Sequence, residues 1–216
     1  MKLYFHPFSS YCQKALIALY EKGLPFEPRL LGGDAAIAEE HATLWPLHRM
    51  PVLVDEGRTY AEASIIVEYL DLVRPGAAPL VPRDARLALE VRFMDRVFDN
   101  YVMTPMQKIV FDRIRNPDQR DSAGVAEARA LLDAAYRWLD GRIGRNTYAV
   151  GSTFTLADCA AAPALLYADW VHPIDPQLTS LRAYRQRLLA RPSFARAVDE
   201  ARPYRANFPL GDPGRD

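Results

Sequence analysis

The apolar positions of this 216-residue chain follow two rhythms, and the change between them falls near residue 76. In the first third, short β-type runs alternate with stretches of helical spacing. Leu3-Tyr4-Phe5 reads as a strand. Cys12, Ala15, Leu16 and Leu19 then recur at the spacing of one buried helical face, which predicts a helix over 10–22. Gly23 ends it, and Pro25 follows where a helix cannot continue. Residues 26–31 form a second strand candidate, Gly32-Gly33 a turn, and Asp34 caps a helix reaching about residue 43. Residues 52–54 and 58–60 flank Asp55-Glu56-Gly57, a hairpin whose glycine supplies a positive φ. Ile65, Ile66, Tyr69 and Leu70 mark a helix over 62–73. The order βαβ-α-ββ-α implies a small mixed sheet, with a parallel pair joined by a right-handed crossover and an antiparallel hairpin.

Turn formers from Arg74 to Pro82 follow, and strand signals then almost vanish. Runs rich in Ala, Leu and Arg predict helices over 84–114, 122–143, 155–170, 178–190 and 193–201. The first is expected to bend near Thr104-Pro105, since an internal proline removes a helical hydrogen bond. Thr155 and Asp158 have capping-box spacing, with Phe154 as a staple, so Asp158 reads as structural. The expected organisation is an α/β domain over 1–76, a linker over 77–83, an all-helical domain over 84–203 and a loosely held tail over 204–216.

Charge narrows the function. Lys+Arg and Asp+Glu both number 27, and the small basic excess after residue 76 (20 against 17) is spread over several helices. A nucleic-acid or anionic-membrane partner would need that excess on one face. No apolar run approaches the roughly 18 residues that span a bilayer. The N-terminus enters a strand pattern without signal-peptide layout, and Cys12 and Cys159 are too few for a disulfide framework. The expectation is a cytoplasmic protein without nucleic-acid or membrane partners. His6, His41, His48 and His172 form no metal-ligand spacing, and no Gly-rich phosphate loop is present, so no metal is expected.

Three places carry candidate chemistry. Ser9-Ser10 stands at the mouth of the first helix, Met50-Pro51 heads a strand, and Glu62-Ala63-Ser64 opens the third helix. A cis Met50–Pro51 bond would turn the backbone N–H and C=O of Met50 outward, free to pair with a peptide-like ligand. Three ligand-ready backbone ends in one small α/β unit point to a short acidic peptide carrying a thiol.

This arrangement, with Ser9-Ser10, Met50-Pro51, Glu62 and the Thr155/Asp158 cap in order over most of the chain, resembles the cytosolic glutathione S-transferases. The Ser9 region is most similar to the serine-type classes (zeta, theta and delta) and to bacterial members. The resemblance implies a thioredoxin-like glutathione-binding domain, an all-helical bundle domain lining an electrophile pocket, and a homodimer. Ser9 matches the family's catalytic serine, counting back from Lys14, with Ser10 as the alternative. The implied glutathione contacts are His48 or Arg49 for the glycyl carboxylate, Met50 beside Pro51 for the cysteinyl backbone, and Glu62 for the γ-glutamyl ammonium. Ala63 stands where the family usually has a serine for the γ-glutamyl carboxylate; its backbone N–H remains, and Ser64 is one place on. The electrophile pocket is expected from Tyr11, from Phe98, Tyr101, Val102, Met103 and Met106, and from Tyr167 and Trp170.

The leading reading is thus a glutathione transferase with glutathione as co-substrate, acting on a small apolar electrophile by addition, displacement or isomerisation, in detoxification. Two others stand beside it. Ser9-Ser10-Tyr11-Cys12 has C-x-x-C spacing with serine in the first place, which admits a glutathione-dependent thiol–disulfide reductase using Cys12, although Cys12 also falls on the buried stripe. Ala63 admits a binding or adaptor protein that kept the fold and lost the chemistry.

Overall fold

A computed structural model describes residues 1–74 and 79–216. Four short strands, β1 (Lys2–Phe5), β2 (Glu27–Leu30), β3 (Val52–Asp55) and β4 (Arg58–Ala61), form one sheet in the order β2-β1-β3-β4. β1 runs parallel to β2, and the β1–β3 and β3–β4 pairs are antiparallel. Successive strand residues face opposite sides. Leu3, Phe5 and Leu53 therefore join the main core with α1 (Ser10–Glu21) and α3 (Ala63–Val73). Tyr4 and Val52 point the other way, toward Ile37 and Leu44 of α2 (Ala35–Leu44).

The helical half comprises α4 (Ala85–Val97), α5 (Thr104–Ile114), α6 (Ser122–Ile143), α7 (Leu156–Val171), α8 (Thr179–Leu189) and α9 (Pro192–Ala201). α7 is central and buried on all sides but Trp170; its alanines let α1, α4 and α8 approach closely. The expected capping box opens it: Asp158 accepts from the Thr155 N–H at 2.9 Å, from the Ala149 N–H at 2.8 Å and from the Tyr184 hydroxyl at 2.6 Å. The expected break before Pro105 is a π-helical turn, Phe98–Met103, in which the Thr104 N–H reaches back to the Asp99 carbonyl. Met94, Phe98, Val102 and Met106 recur every four residues and all are buried. An α-helix rotates such a row by about 40° per step, and the wider π turn holds it on the core side.

Pro75 to Ala78, at the end of the first domain and the start of the expected linker, lie outside the described residues. Beyond them the chain is anchored, since the Asp71 carboxylate accepts from the N–H groups of Leu80 (3.0 Å) and Val81 (2.8 Å) and pairs with Lys22. The tail corrects the expectation of a loosely held end. Residues Arg202–Asn207 form a 3₁₀ helix, Phe208 is buried against Phe8 and Trp170, and Arg215 pairs with the buried Asp169. Apolar contact and a charge partner outweigh the Gly/Pro-rich composition there. None of the described helices is long and apolar enough to cross a membrane.

Candidate functional site

A cavity of about 640 Å³ opens between the α/β half and the helical half. Three chain segments from the first half converge on it: the loop into α1, the turn before β3 and the start of α3.

Ser9 is the N-cap of α1. Its backbone is extended (φ −84°, ψ 124°) and its Oγ accepts from the Cys12 N–H at 3.5 Å. Ser9 lines the cavity, whereas Ser10 is buried behind it and does not. Upstream, His6 and Phe8 complete this wall. The Phe8 N–H lies 3.1 Å from Nδ1 of His6, and the imidazole packs edge-on to Tyr204. Burial pulls the ring below the usual imidazole range, which favours the neutral form.

The second segment carries His48, Arg49, Met50 and Pro51, all on the cavity, with Trp45 beside them. The Met50–Pro51 peptide is cis. His48 is held in the left-handed region at φ 54°, which histidine adopts more readily than most residues, and the turn is pinned by a 3.0 Å contact between the buried His41 Nε2 and the Arg49 carbonyl.

Glu62 and Ala63 provide the third segment. Glu62 is the N-cap of α3 but makes no side-chain capping bond, so its exposed carboxylate is free of that duty. Its φ of 68° is unusual for a residue with a Cβ and turns the chain sharply from β4 into the helix. Ser64 is not on the cavity wall. It lies in a buried ion cluster behind it, accepting from Lys14 Nζ (2.8 Å) and donating to Asp95 (2.9 Å).

That cluster joins the two halves. Lys14 is 1% exposed and pairs with Asp95 at 2.5 Å and Asp99 at 2.8 Å; Arg96 closes over both carboxylates at 2.6 and 2.7 Å. Burial raises the Asp99 carboxyl above the usual range, while Lys14 and Arg96 pull it back. Two cations against two carboxylates leave the buried group balanced.

The helical wall differs from the expected one. Of the residues expected at an electrophile pocket, Tyr11 lines the cavity. Phe98, Val102, Met103, Met106 and Tyr167 are core residues, Trp170 is half-buried against Phe8, and Tyr101 opens onto a separate groove with Phe93 and Trp138. The wall is instead formed by Arg96, Asp99, Asn100, Gln107 and Phe111. The signal for the first four was the polar row complementary to the Phe/Met stripe, and Phe111 had none; the stripe marked the core, not the pocket.

Cys12 is fully buried, and burial pushes its thiol up to about 12. Cys159, equally buried, is raised as well. Among the described residues no group of three or more His, Cys, Asp or Glu is arranged to hold a metal.

Comparison with known proteins bears on the family and the fold. Residues 3–77 match the family model for the glutathione S-transferase N-terminal domain, and residues 122–187 that for the C-terminal domain. A glutathione S-transferase of Pseudomonas putida is 32% identical over 164 residues, 73% of this chain and 70% of the relative. The crystal structure of a glutathione S-transferase from Methylobacterium radiotolerans in complex with glutathione sulfonate superimposes with a TM-score of 0.78 at 31% identity, covering 91% of this chain and 93% of that one. A stringent starvation protein A homolog of Coxiella burnetii is 28% identical over 206 residues, 93% of this chain and 92% of the relative.

Proposed function

The chain belongs to the glutathione S-transferase family, and from that premise we propose that it binds glutathione in the cavity and activates its thiol for attack on a small electrophile. The observation carrying this reading is the convergence of Ser9, Met50-Pro51 and Glu62-Ala63 on one cavity.

Each contact has a physical reason. As an N-cap, Ser9 accepts with its oxygen lone pair, which leaves the hydroxyl hydrogen to donate to a sulfur. A free thiol has a pKa near 8.5. Lowering it by about two units needs ~2.7 kcal/mol. A hydrogen bond to the thiolate (about 1.5–3 kcal/mol) and the α1 N-terminus (about 0.3–1 kcal/mol) together reach that figure. Glu62 holds the γ-glutamyl ammonium. The Ala63 N–H and the α3 N-terminus hold its carboxylate, one hydroxyl short of the usual set, a loss of about 1 kcal/mol. His48 or Arg49 receives the glycyl carboxylate. This reading also carries the expectations of a cytoplasmic homodimer and a role in detoxification.

Replacing Ser9 tests it. Ser9→Ala is expected to lower kcat/KM for a chloroaryl electrophile by roughly 10- to 100-fold. The pKa of bound glutathione, followed by thiolate absorbance, should rise while calorimetric affinity changes little. An unaltered kcat/KM would remove Ser9 from the chemistry.

A second reading, a binding protein without turnover, draws on Ala63 and on the Coxiella burnetii relative, whose name does not refer to transferase chemistry. Absence of both heat and thermal shift at millimolar glutathione would favour it. The reductase reading is disfavoured because an attacking thiol needs access and thiolate character, and Cys12 has neither.

A further inference from the structure

We infer that Tyr167 of α7 is a positioning residue for Ser9, holding the peptide link before the serine so that the serine hydroxyl meets the sulfur of glutathione. This inference rests on the glutathione-binding reading above and adds to it a residue from the helical half.

The loop from β1 into α1 has few bonds of its own. Pro7 cannot donate, and neither the Pro7 nor the Phe8 carbonyl receives a backbone N–H among the described residues. Two buried side chains supply what the backbone does not. The Tyr167 hydroxyl donates to the Phe8 carbonyl at 3.0 Å. Gln13, fully buried, donates through Nε2 to the Pro7 carbonyl and to the Tyr167 oxygen, both at 3.1 Å. A carbonyl only accepts, so the directions are fixed: amide to phenol, phenol to Phe8. Burial raises the phenol above its usual range and keeps it a donor at neutral pH.

The peptide plane that receives these bonds is the one that carries Ser9. The Phe8 carbonyl is one end of it, and the other end, the Ser9 N–H, donates to the His6 carbonyl at 3.0 Å. A rigid plane tied at both ends does not rotate, and the serine Cα is attached directly to it. The Ser9 carbonyl is tied as well, accepting from the Gln13 N–H at 2.9 Å. By contrast, the hydroxyl's own tether to the Cys12 N–H is long at 3.5 Å. The aim of the hydroxyl therefore comes from the backbone, and the backbone takes its position from α7, the central buried helix. The Tyr167 ring also packs edge-on to Phe8 at 5.5 Å, which leaves that side of the loop no slack. A donor to a thiolate is effective only where it is held in place beforehand.

The test is a double-mutant cycle on Ser9 and Tyr167 in the full-length protein. Tyr167→Phe removes one oxygen and keeps the ring against Phe8. Alone, it should raise the pKa of the bound glutathione thiol by about 0.5–1 unit and lower kcat/KM for a chloroaryl electrophile by about three- to tenfold, with calorimetric affinity for glutathione little changed. In the Ser9→Ala background it should move neither, because no hydroxyl is left to aim. Equal losses in both backgrounds, or none in the native one, overturn the inference and leave the transferase reading standing. Should Tyr167→Phe not fold, Gln13→Met, which strips the amide from the same network, carries the same comparison with the same deciding outcomes. If Ser9→Ala alone changes nothing although calorimetry shows glutathione bound, the role of Ser9 fails and this inference with it; if glutathione does not bind the native protein, the glutathione-binding reading fails first.

Discussion

Ser9 and Cys12 stand three residues apart on the same helical start, yet the fold gives them opposite environments. Ser9 is at the cavity surface; Cys12, one turn on, packs with Leu16 and Leu19 in the core. A thiol with a pKa near 12 is ionised to roughly one part in ten thousand at pH 8, and a fully buried one is also out of reach. Neither cysteine of the native protein should therefore react with an aromatic disulfide reagent at pH 8 over minutes, whereas both should react in denaturant. Prompt labelling of Cys12 in the folded protein would return the reductase reading to contention. Lys14 was legible as a basic position following the serine. Its partners, Asp95 and Asp99, are about eighty residues away and were not, because nothing local in a sequence pairs α1 with α4.

Helices were the most legible elements because their periods are long. Residues 122–143 were predicted and observed at the same bounds, and the breaks at Gly23 and before Pro105 fell where backbone chemistry puts them. The π turn was not legible as such, although the four-residue spacing of Phe98, Val102 and Met106 held its trace: a row that drifts on an α-helix stays buried only if the helix widens. At α7 the cap is an element-level device, since Asp158 satisfies two backbone N–H groups and the Tyr184 hydroxyl in a buried place. Asp158→Ala would strand all three. It should cost about 3 kcal/mol or more, read as a lower urea midpoint with little change in slope. Asp158→Asn, which keeps an acceptor, should cost less. A midpoint unmoved by the alanine change would show that α7 does not depend on this cap.

At the level of the whole molecule, one continuous core runs from Leu3 in β1 through α7 to Phe208 in the tail, so the two halves form one packed body around the cavity. The outer faces of α3 and α4 leave Ile65, Leu72, Leu89 and Phe93 exposed, apolar side chains that a subunit interface would cover. A two-fold dimer burying this face is expected; sedimentation at micromolar concentration should give twice 24.4 kDa, and Leu72→Glu should shift it toward the single chain. A single-chain mass for the native protein would dismiss the dimer. Periodicity, turn chemistry and motif order, all local properties of the chain, were enough to read the element sequence, the two-part architecture and the three chain segments that line the cavity. Which side chains meet across the cavity depends on how α4 and α5 rotate against α1 and α7. A stripe of Phe and Met reads alike whether it faces a core or a pocket. Packing turned that stripe inward and left Arg96, Asn100 and Gln107 at the cavity, because burying the apolar row is worth more than burying the polar one.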